Sequence, residues 1–243
     1  YGFEDFHFSV SGRYSQHSRY GGNTTGRLST SYNLPQEIIL KGSVGSGYRA
    51  PSLYELYAPF YGNSALLPET SLSTDFGFET KKNKYGMKFT GTVFDTIISD
   101  RIVYDYETEA YGQSSVSESR AGYEFMVDYD VSNKTDISFS FVHTDDGKGR
   151  RIQKVPENKF TIAGETEFTS GLKLSGSLAR IEGLEDFQPL QDYTLVSTRF
   201  SYPFSESVEI YLRIENLFDE NYQSSSDYGT AGQSIFAGVT TEF

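Results

Sequence analysis

Apolar side chains recur at every second position along nearly the whole of this chain, in segments of about ten residues. Phe6, Phe8, Val10, Gly12 and Tyr14 fall on one side of an extended ribbon, and His7, Ser9, Ser11, Arg13 and Ser15 on the other. Leu28, Thr30, Tyr32 and Leu34 repeat the pattern opposite Arg27, Ser29 and Ser31, and Ile38, Leu40, Val44 and Tyr48 continue it. Later rows include Tyr123, Phe125, Val127 and Tyr129, then Phe160 and Ile162, then Val208, Ile210, Leu212 and Ile214, and finally Ile235 to Phe243. A period of two sorts side chains onto the faces of a strand and scatters them around a helix, so the chain reads as all-β. Twelve antiparallel strands are expected, at 4–17, 24–34, 37–49, 70–82, 84–104, 113–130, 134–144, 155–168, 171–182, 190–203, 207–218 and 231–243.

The connections between these strands alternate in length. Short ones hold Pro35-Gln36, Lys82-Asn83, Ser132-Asn133, Ser170-Gly171 and Phe204-Ser205-Glu206, and longer ones fall at 18–23, 50–69, 105–112, 145–154, 183–189 and 219–230. A soluble sandwich has no reason to sort its loops this way, whereas a transmembrane β-barrel has short periplasmic turns and long extracellular loops. The charges agree. Arg13, Arg27, Lys41, Asp75, Glu165, Arg199, Glu209 and Arg213 alternate with, or flank, the apolar rows. On a lipid-facing row each would cost up to about 2–4 kcal/mol near the midplane, so these residues are expected to face a wide, wet lumen.

Composition narrows the functions. The net charge of -12 gives no basic track for nucleic acid. There is no cysteine, which removes disulfides, thiolate metal sites and cysteine nucleophiles. No apolar run is long enough for a membrane helix, but barrel strands need none. Tyr and Phe, 19 of each, suit strands, and those near strand ends (Tyr14, Tyr20, Tyr32, Tyr48, Tyr202, Tyr222) suit an interfacial girdle. The three histidines, His7, His17 and His143, lie on different expected strands with no companion spacing for a nucleophile, so no catalytic residues are assigned and the chain is not read as an enzyme. The acidic groups Asp105/Glu107/Glu109, Asp145-Asp146 and Glu182/Glu185/Asp186 lack an EF-hand pattern and are read as solvated loop charge, with no metal and no cofactor.

Three segments carry a family likeness. Gly47-Tyr48-Arg49-Ala50-Pro51-Ser52-Leu53-Tyr54-Glu55-Leu56-Tyr57, with Tyr61-Gly62-Asn63-Ser64-Ala65-Leu66-Leu67-Pro68-Glu69, leaves one strand and enters the next. Ile214-Glu215-Asn216-Leu217-Phe218-Asp219-Glu220-Asn221-Tyr222 is the second, and Thr230 to the terminal Phe243 the third, with Arg120-Ala121-Gly122-Tyr123-Glu124 between. Together they resemble the TonB-dependent outer-membrane receptors, most closely the vitamin B12 (cobalamin) receptor branch. That resemblance implies an antiparallel transmembrane β-barrel of about 22 strands closed around a plug. Residues 1–243 would be the C-terminal portion of the barrel domain, its last twelve strands, with the plug absent and the C-terminus periplasmic.

The resemblance further implies uptake of a bulky, scarce ligand, cobalamin or a ferric siderophore, driven through TonB, which would pair with a region upstream of this sequence. Outer-membrane lipid and lipopolysaccharide would surround the barrel, and the barrel-assembly machinery would recognise Phe243. The alternative is a self-closed twelve-stranded passive pore or a structural barrel fragment. The longest loop has two readings: a well-shaped connection fixed by Pro51 and Pro68, or a ligand-binding mouth in which Tyr54, Tyr57, Phe60, Tyr61 and Asn63 offer flat aromatic surface and an amide. Asn216, Leu217, Phe218, Asp219 and Tyr222 are read with Arg49 and Pro51 as structural, Asn216 and Asp219 suiting turns while Leu217 and Phe218 anchor the loop base. Gly147-Lys148-Gly149-Arg150-Arg151 is a basic island that either contacts lipopolysaccharide phosphates or balances the adjacent aspartates.

Overall fold

The computed structural model describes residues 2, 3, 5–35 and 37–241. Fifteen strands and one short helix follow in order: β1 (Gly2–Phe3), β2 (Phe6–His17), β3 (Gly21–Leu34), β4 (Ile38–Arg49), α1 (Leu53–Tyr57), β5 (Glu69–Thr80), β6 (Met87–Ser99), β7 (Ile102–Asp105), β8 (Ala110–Gln113), β9 (Glu118–Ser132), β10 (Thr135–Asp145), β11 (Asn158–Glu167), β12 (Lys173–Glu182), β13 (Tyr193–Ser205), β14 (Val208–Glu215) and β15 (Ser234–Thr241). Thirteen of them form one sheet, in chain order except that β9 follows β6, while β7 and β8 pair separately. Among the described residues β1 and β15 are the two edges, and the sheet does not close.

All twelve expected strands exist, with three departures. The stretch 84–104 is not one strand: Asp100 adopts φ 57°, which ends β6 at Ser99, and the chain then makes the β7–β8 hairpin that the sequence reading had merged into its neighbours. The connection expected at 18–23 is a three-residue turn, 18–20, because β3 begins at Gly21. Strand 207–218 stops at Glu215, where Asn216 turns to φ 49°. Phe243 and Gln36 lie outside the described residues.

The chain divides into two compact units, one of Tyr1–Phe78, Thr92–Gly122 and Asp146–Lys148, the other of Glu79–Gly91, Tyr123–Asp145 and Gly149–Phe243. In the first, register sets Phe6 opposite Tyr32, which faces Leu40, and Val10 opposite Leu28, which faces Val44. One position along, His7, Ser31 and Lys41 line up on the other face. In the second, Phe139, Ile162, Leu178 and Val196 form one cross-strand row, and Thr166, Leu174, Phe200, Leu212 and Ala237 another. Asp136, Glu165, Ser175, Arg199 and Arg213 occupy the opposite face.

The apolar rows are uncovered: Val10 is 70% exposed, and Ile162, Leu178, Phe200 and Val239 are all open. Tight apolar packing among the described residues sits instead in two small clusters at the loop ends of strands, Leu56/Leu66/Ile102 and Ile181/Leu184/Tyr193. A sheet with one bare greasy face and one polar face would expose far too much apolar surface in water, and lipid supplies the missing cover.

Replacing one residue on each face tests this. Leu178→Arg is expected to lower unfolding free energy in lipid vesicles by about 2–4 kcal/mol, and its neighbour Ser177→Arg by less than about 1 kcal/mol. Denaturant titration of the two variants reads the difference.

Candidate functional site

One guanidinium ties together the two ends of the loop between β4 and β5. Arg49, the last residue of β4, donates from Nε to Glu69 at the start of β5 (2.5 Å) and from Nη1 to both oxygens of Glu55 (3.1 and 3.0 Å). Glu69 also accepts the Ile102 N–H at 2.6 Å, so the same node reaches the β7–β8 hairpin. Glu55 lies in α1, whose start is a reciprocal cap: the Ser52 side chain accepts the Glu55 N–H, and the Glu55 carboxylate accepts the Ser52 N–H. Burial alone would raise the Glu55 carboxyl, but the hydrogen bonds from Arg49 and Ser52 outweigh it and hold its pKa below the usual carboxylate range. Pro51 is buried beside this node. Leu56 and Leu66, the latter only 2% exposed, pin the loop onto Ile102 and Tyr111. Gly62 crosses the end of α1 so closely that a Cβ would stand 2.6 Å from the Ala58 nitrogen.

Above this base lies a group of tyrosines. Tyr104 stands edge-on to Tyr61, Tyr106 and Tyr111 at 6.0, 4.9 and 5.3 Å between ring centroids, and Tyr54 meets Tyr111 at 6.1 Å. Such spacing and tilt suit aromatic quadrupoles. The structure thus brings two of the expected mouth residues, Tyr54 and Tyr61, into one cluster. Tyr57 stands apart, its hydroxyl accepting from Arg19 at 2.8 Å, while Arg19 also donates to the Ser64 carbonyl. Phe60 is 95% exposed at φ 72°. Asn63 does not offer its amide outward: its Oδ1 accepts the Ala65 N–H and its Nδ2 donates to the Tyr111 carbonyl, both at 2.9 Å. Tyr104, Tyr106 and Tyr111 were missed because the first lies inside the overlong expected strand and the other two in or beside an acidic loop; their i, i+2 spacing on a hairpin was the available signal.

In the second unit the structural motif behaves as a turn lock. Buried Asn216 donates from Nδ2 to the Glu220 carbonyl (2.9 Å) and accepts the Glu220 N–H (2.8 Å), and Asp219, at φ 52°, accepts the Gln233 N–H at 2.8 Å. Leu217 continues the sheet by donating its N–H to the Val196 carbonyl at 2.8 Å, and Tyr222 packs on Tyr193 at 4.5 Å. Phe218 is 74% exposed and does not anchor the loop base; Tyr222 does so in its place.

Asp186, 3% exposed, joins three loops. Its Oδ2 accepts from the Ser225 hydroxyl (2.7 Å) and the Ser226 N–H (2.9 Å), its carbonyl accepts from Gln153 (2.9 Å), and Lys154 Nζ lies 3.6 Å from Oδ1. Burial pushes the carboxyl up, and these donors more than offset it, leaving the pKa lowered.

Two expectations follow. Arg49→Ala leaves two facing carboxylates without their partner and is expected to cost about 1–2 kcal/mol, after discount for the half-exposed guanidinium. Arg49→Lys lacks the fork and falls between. Protease cleavage within 50–68, with strand content unchanged, measures both. Because folding lowers the Asp186 pKa, its stabilisation is present above the unfolded aspartate value of about 3.9 and is lost as pH falls through the lower folded value. Amide exchange in 183–192 and 216–233 should accelerate on acidification relative to the strands, and Asp186→Asn should abolish that pH dependence.

Comparison with known proteins is consistent with this geometry. Residues 1–217 match the family model described as TonB dependent receptor-like, beta-barrel. The vitamin B12 transporter BtuB of Vibrio cholerae serotype O1 is 28% identical over 243 residues, covering 95% of this chain and 39% of that protein. The ferric enterobactin receptor PfeA of Pseudomonas aeruginosa superposes with a TM-score of 0.81 at 16% identity, over 99% of this chain and 44% of that one. The copper transporter OprC gives 0.79 at 14% identity, over 100% and 46%. This chain therefore spans about two fifths of the length of the relatives it matches. These relatives are transporters and receptors. With nine-tenths of its length matched to the receptor barrel, the chain belongs to the TonB-dependent receptor family as part of an outer-membrane β-barrel.

Proposed function

We propose that this chain forms one section of the wall and extracellular rim of a receptor that takes up a bulky, scarce ligand with energy delivered through TonB. It acts there as a barrel segment, not as a transporter on its own. One observation carries this: among the described residues the sheet is open, with a bare apolar face and a polar face. Open strand edges in hydrocarbon leave backbone donors and acceptors unsatisfied, so the edges at β1 and β15 require further strands. That requirement favours the fragment reading over a free-standing twelve-stranded pore.

The cargo is a cobalamin or a ferric siderophore, the two classes that the names of the relatives suggest. Tyr54, Tyr57, Phe60 and Tyr61 present aromatic surface to it, with Asn63 bracing the loop from within. TonB acts through a region upstream of this sequence. Lipopolysaccharide and outer-membrane lipid cover the apolar rows, and the assembly machinery recognises Phe243 on the periplasmic side.

Uptake assays on the full-length receptor, comparing cobalamin with several ferric siderophores, test the cargo. Tyr54→Ala with Phe60→Ala should weaken binding of the transported ligand about tenfold, on the scale of about 0.5–1.5 kcal/mol for each aromatic contact. Unchanged binding would remove these residues from the site. In planar bilayers the 243-residue chain alone should give no steady conductance. A stable unitary pore would overturn the segment reading.

A further inference from the structure

The apolar face of the second unit is not evenly filled. One cross-strand row reads Ile137, Gly164, Gly176, Thr198 and Ile214 from β10 to β14. It runs between Ile162, Leu178 and Val196 on one side and Thr166, Leu174 and Phe200 on the other. Its three middle members are small, so the face sinks there into a recess of about 580 Å³ that both flanking rows line. Two other strand glycines are roofed by aromatic rings. The Tyr14 ring fills the place that a Cβ would take at Gly22, and the Tyr211 ring does so at Gly238. At Gly164 the nearest neighbours are the Asp136 carbonyl and Ile137, and at Gly176 the Ser197 carbonyl and the Thr198 hydroxyl, with no ring among them.

The recess is apolar in character. The Thr198 hydroxyl is engaged within the sheet, donating to the Ser175 carbonyl at 3.0 Å. The walls stand open, with Ile162, Leu178 and Phe200 all exposed. On β11 the flanking rows are four residues apart, about 13 Å at about 3.3 Å per residue. Along its length the row crosses four strand spacings from Ile137 to Ile214, about 19 Å. A slot one residue row wide and closed by an isoleucine at each end suits a slender, unbranched chain. Glycine inside a strand often marks a place where a ligand or another backbone comes close.

We propose that this recess is a lipid site, holding one acyl chain of a phospholipid from the leaflet on the short-turn side. Gly164 lies three residues before the end of β11 and Gly176 three residues after the start of β12, about 10 Å from the short connection between them. Six residues separate Gly176 from the other end of β12. Short turns of outer-membrane barrels face the periplasm, where the leaflet is phospholipid and not lipopolysaccharide. Surrounding hydrocarbon is as apolar as the slot, so burial from water contributes nothing here. The gain comes from dispersion, because a chain lying in the slot is touched on three sides in place of one. A second copy of the sheet would rest on the two walls and leave the floor empty, forfeiting those contacts. The site depends on which face lipid covers and is independent of the cargo.

The experiment uses the full-length receptor that carries this chain, purified in maltoside detergent, with folding followed by the shift in gel mobility on heating. The probe is dipalmitoyl phosphatidylethanolamine with a photoactivatable diazirine midway along one chain, and labelled segments are located by mass spectrometry. Labelling of 158–167 and 173–182 is expected to saturate, and to exceed that of Val208–Glu215 and Ser234–Thr241, which carry the same apolar face. Thr198→Phe fills the slot from its floor and should lower this labelling roughly fivefold. Leu174→Ala with Leu178→Ala takes one member from each wall without crowding the sheet, and should lower it roughly threefold. Val239→Phe adds bulk to the same face outside the slot and should leave it unchanged. Unlabelled phosphatidylethanolamine should compete, and lipid A should not. Even labelling along every lipid-facing strand, without saturation, reduces the lipid to solvent and overturns the site. A dimer that labels in the slot only after dilution to monomer overturns it in favour of a second copy, and displacement by lipid A alone overturns the phospholipid.

Discussion

Backbone hydrogen bonding in a medium without water is the constraint from which the rest of this structure follows. Each N–H and C=O in the hydrocarbon layer needs a partner inside the protein, and a sheet of neighbouring strands supplies one at every position except along its edges. Once the sheet is fixed, the pleat assigns each side chain to lipid or to the interior. That is why Leu178 and Ser177, adjacent in sequence, live in opposite solvents. Among the described residues the sheet has no apolar interior of its own, and the few buried hydrophobic residues lie at the loop ends of strands, where the chain packs in the ordinary way.

At those ends order comes from polar nodes backed by small apolar clusters. Arg49 connects β4, α1, β5 and the approach to β7, while Leu56 and Leu66 exclude water beside it. Asn216 performs the equivalent task after β14, satisfying both groups of one backbone residue across a turn. The long loops are therefore shaped supports. The tyrosines that project from the 50–68 loop and the β7–β8 hairpin stand on a base held at several independent points.

Strand existence and face were legible in the sequence because alternation is a long-range, redundant signal: Phe6 to Tyr14 and Val208 to Ile214 both read correctly without context. Strand ends were not. Asp100 and Asn216 take left-handed backbone conformations that an extended pattern does not encode, so two strands were drawn too long. Among site residues, Arg49 and Pro51 were visible as a motif, but the Glu55 and Glu69 partners of Arg49 depend on a turn of helix that five residues barely signal. Asn63 looked like a free amide and is a brace; Phe218 looked like an anchor and is exposed.

The junction at Asp186 bears on how these loops can diversify. One carboxylate accepts from Ser225 and the Ser226 amide in the last connection, stands beside Lys154 from another, and belongs itself to a third. Long loops on a rigid scaffold tolerate change more readily than the elements they connect. Here the three share a keystone, so a change of sequence in one loop alters the partners left to the other two.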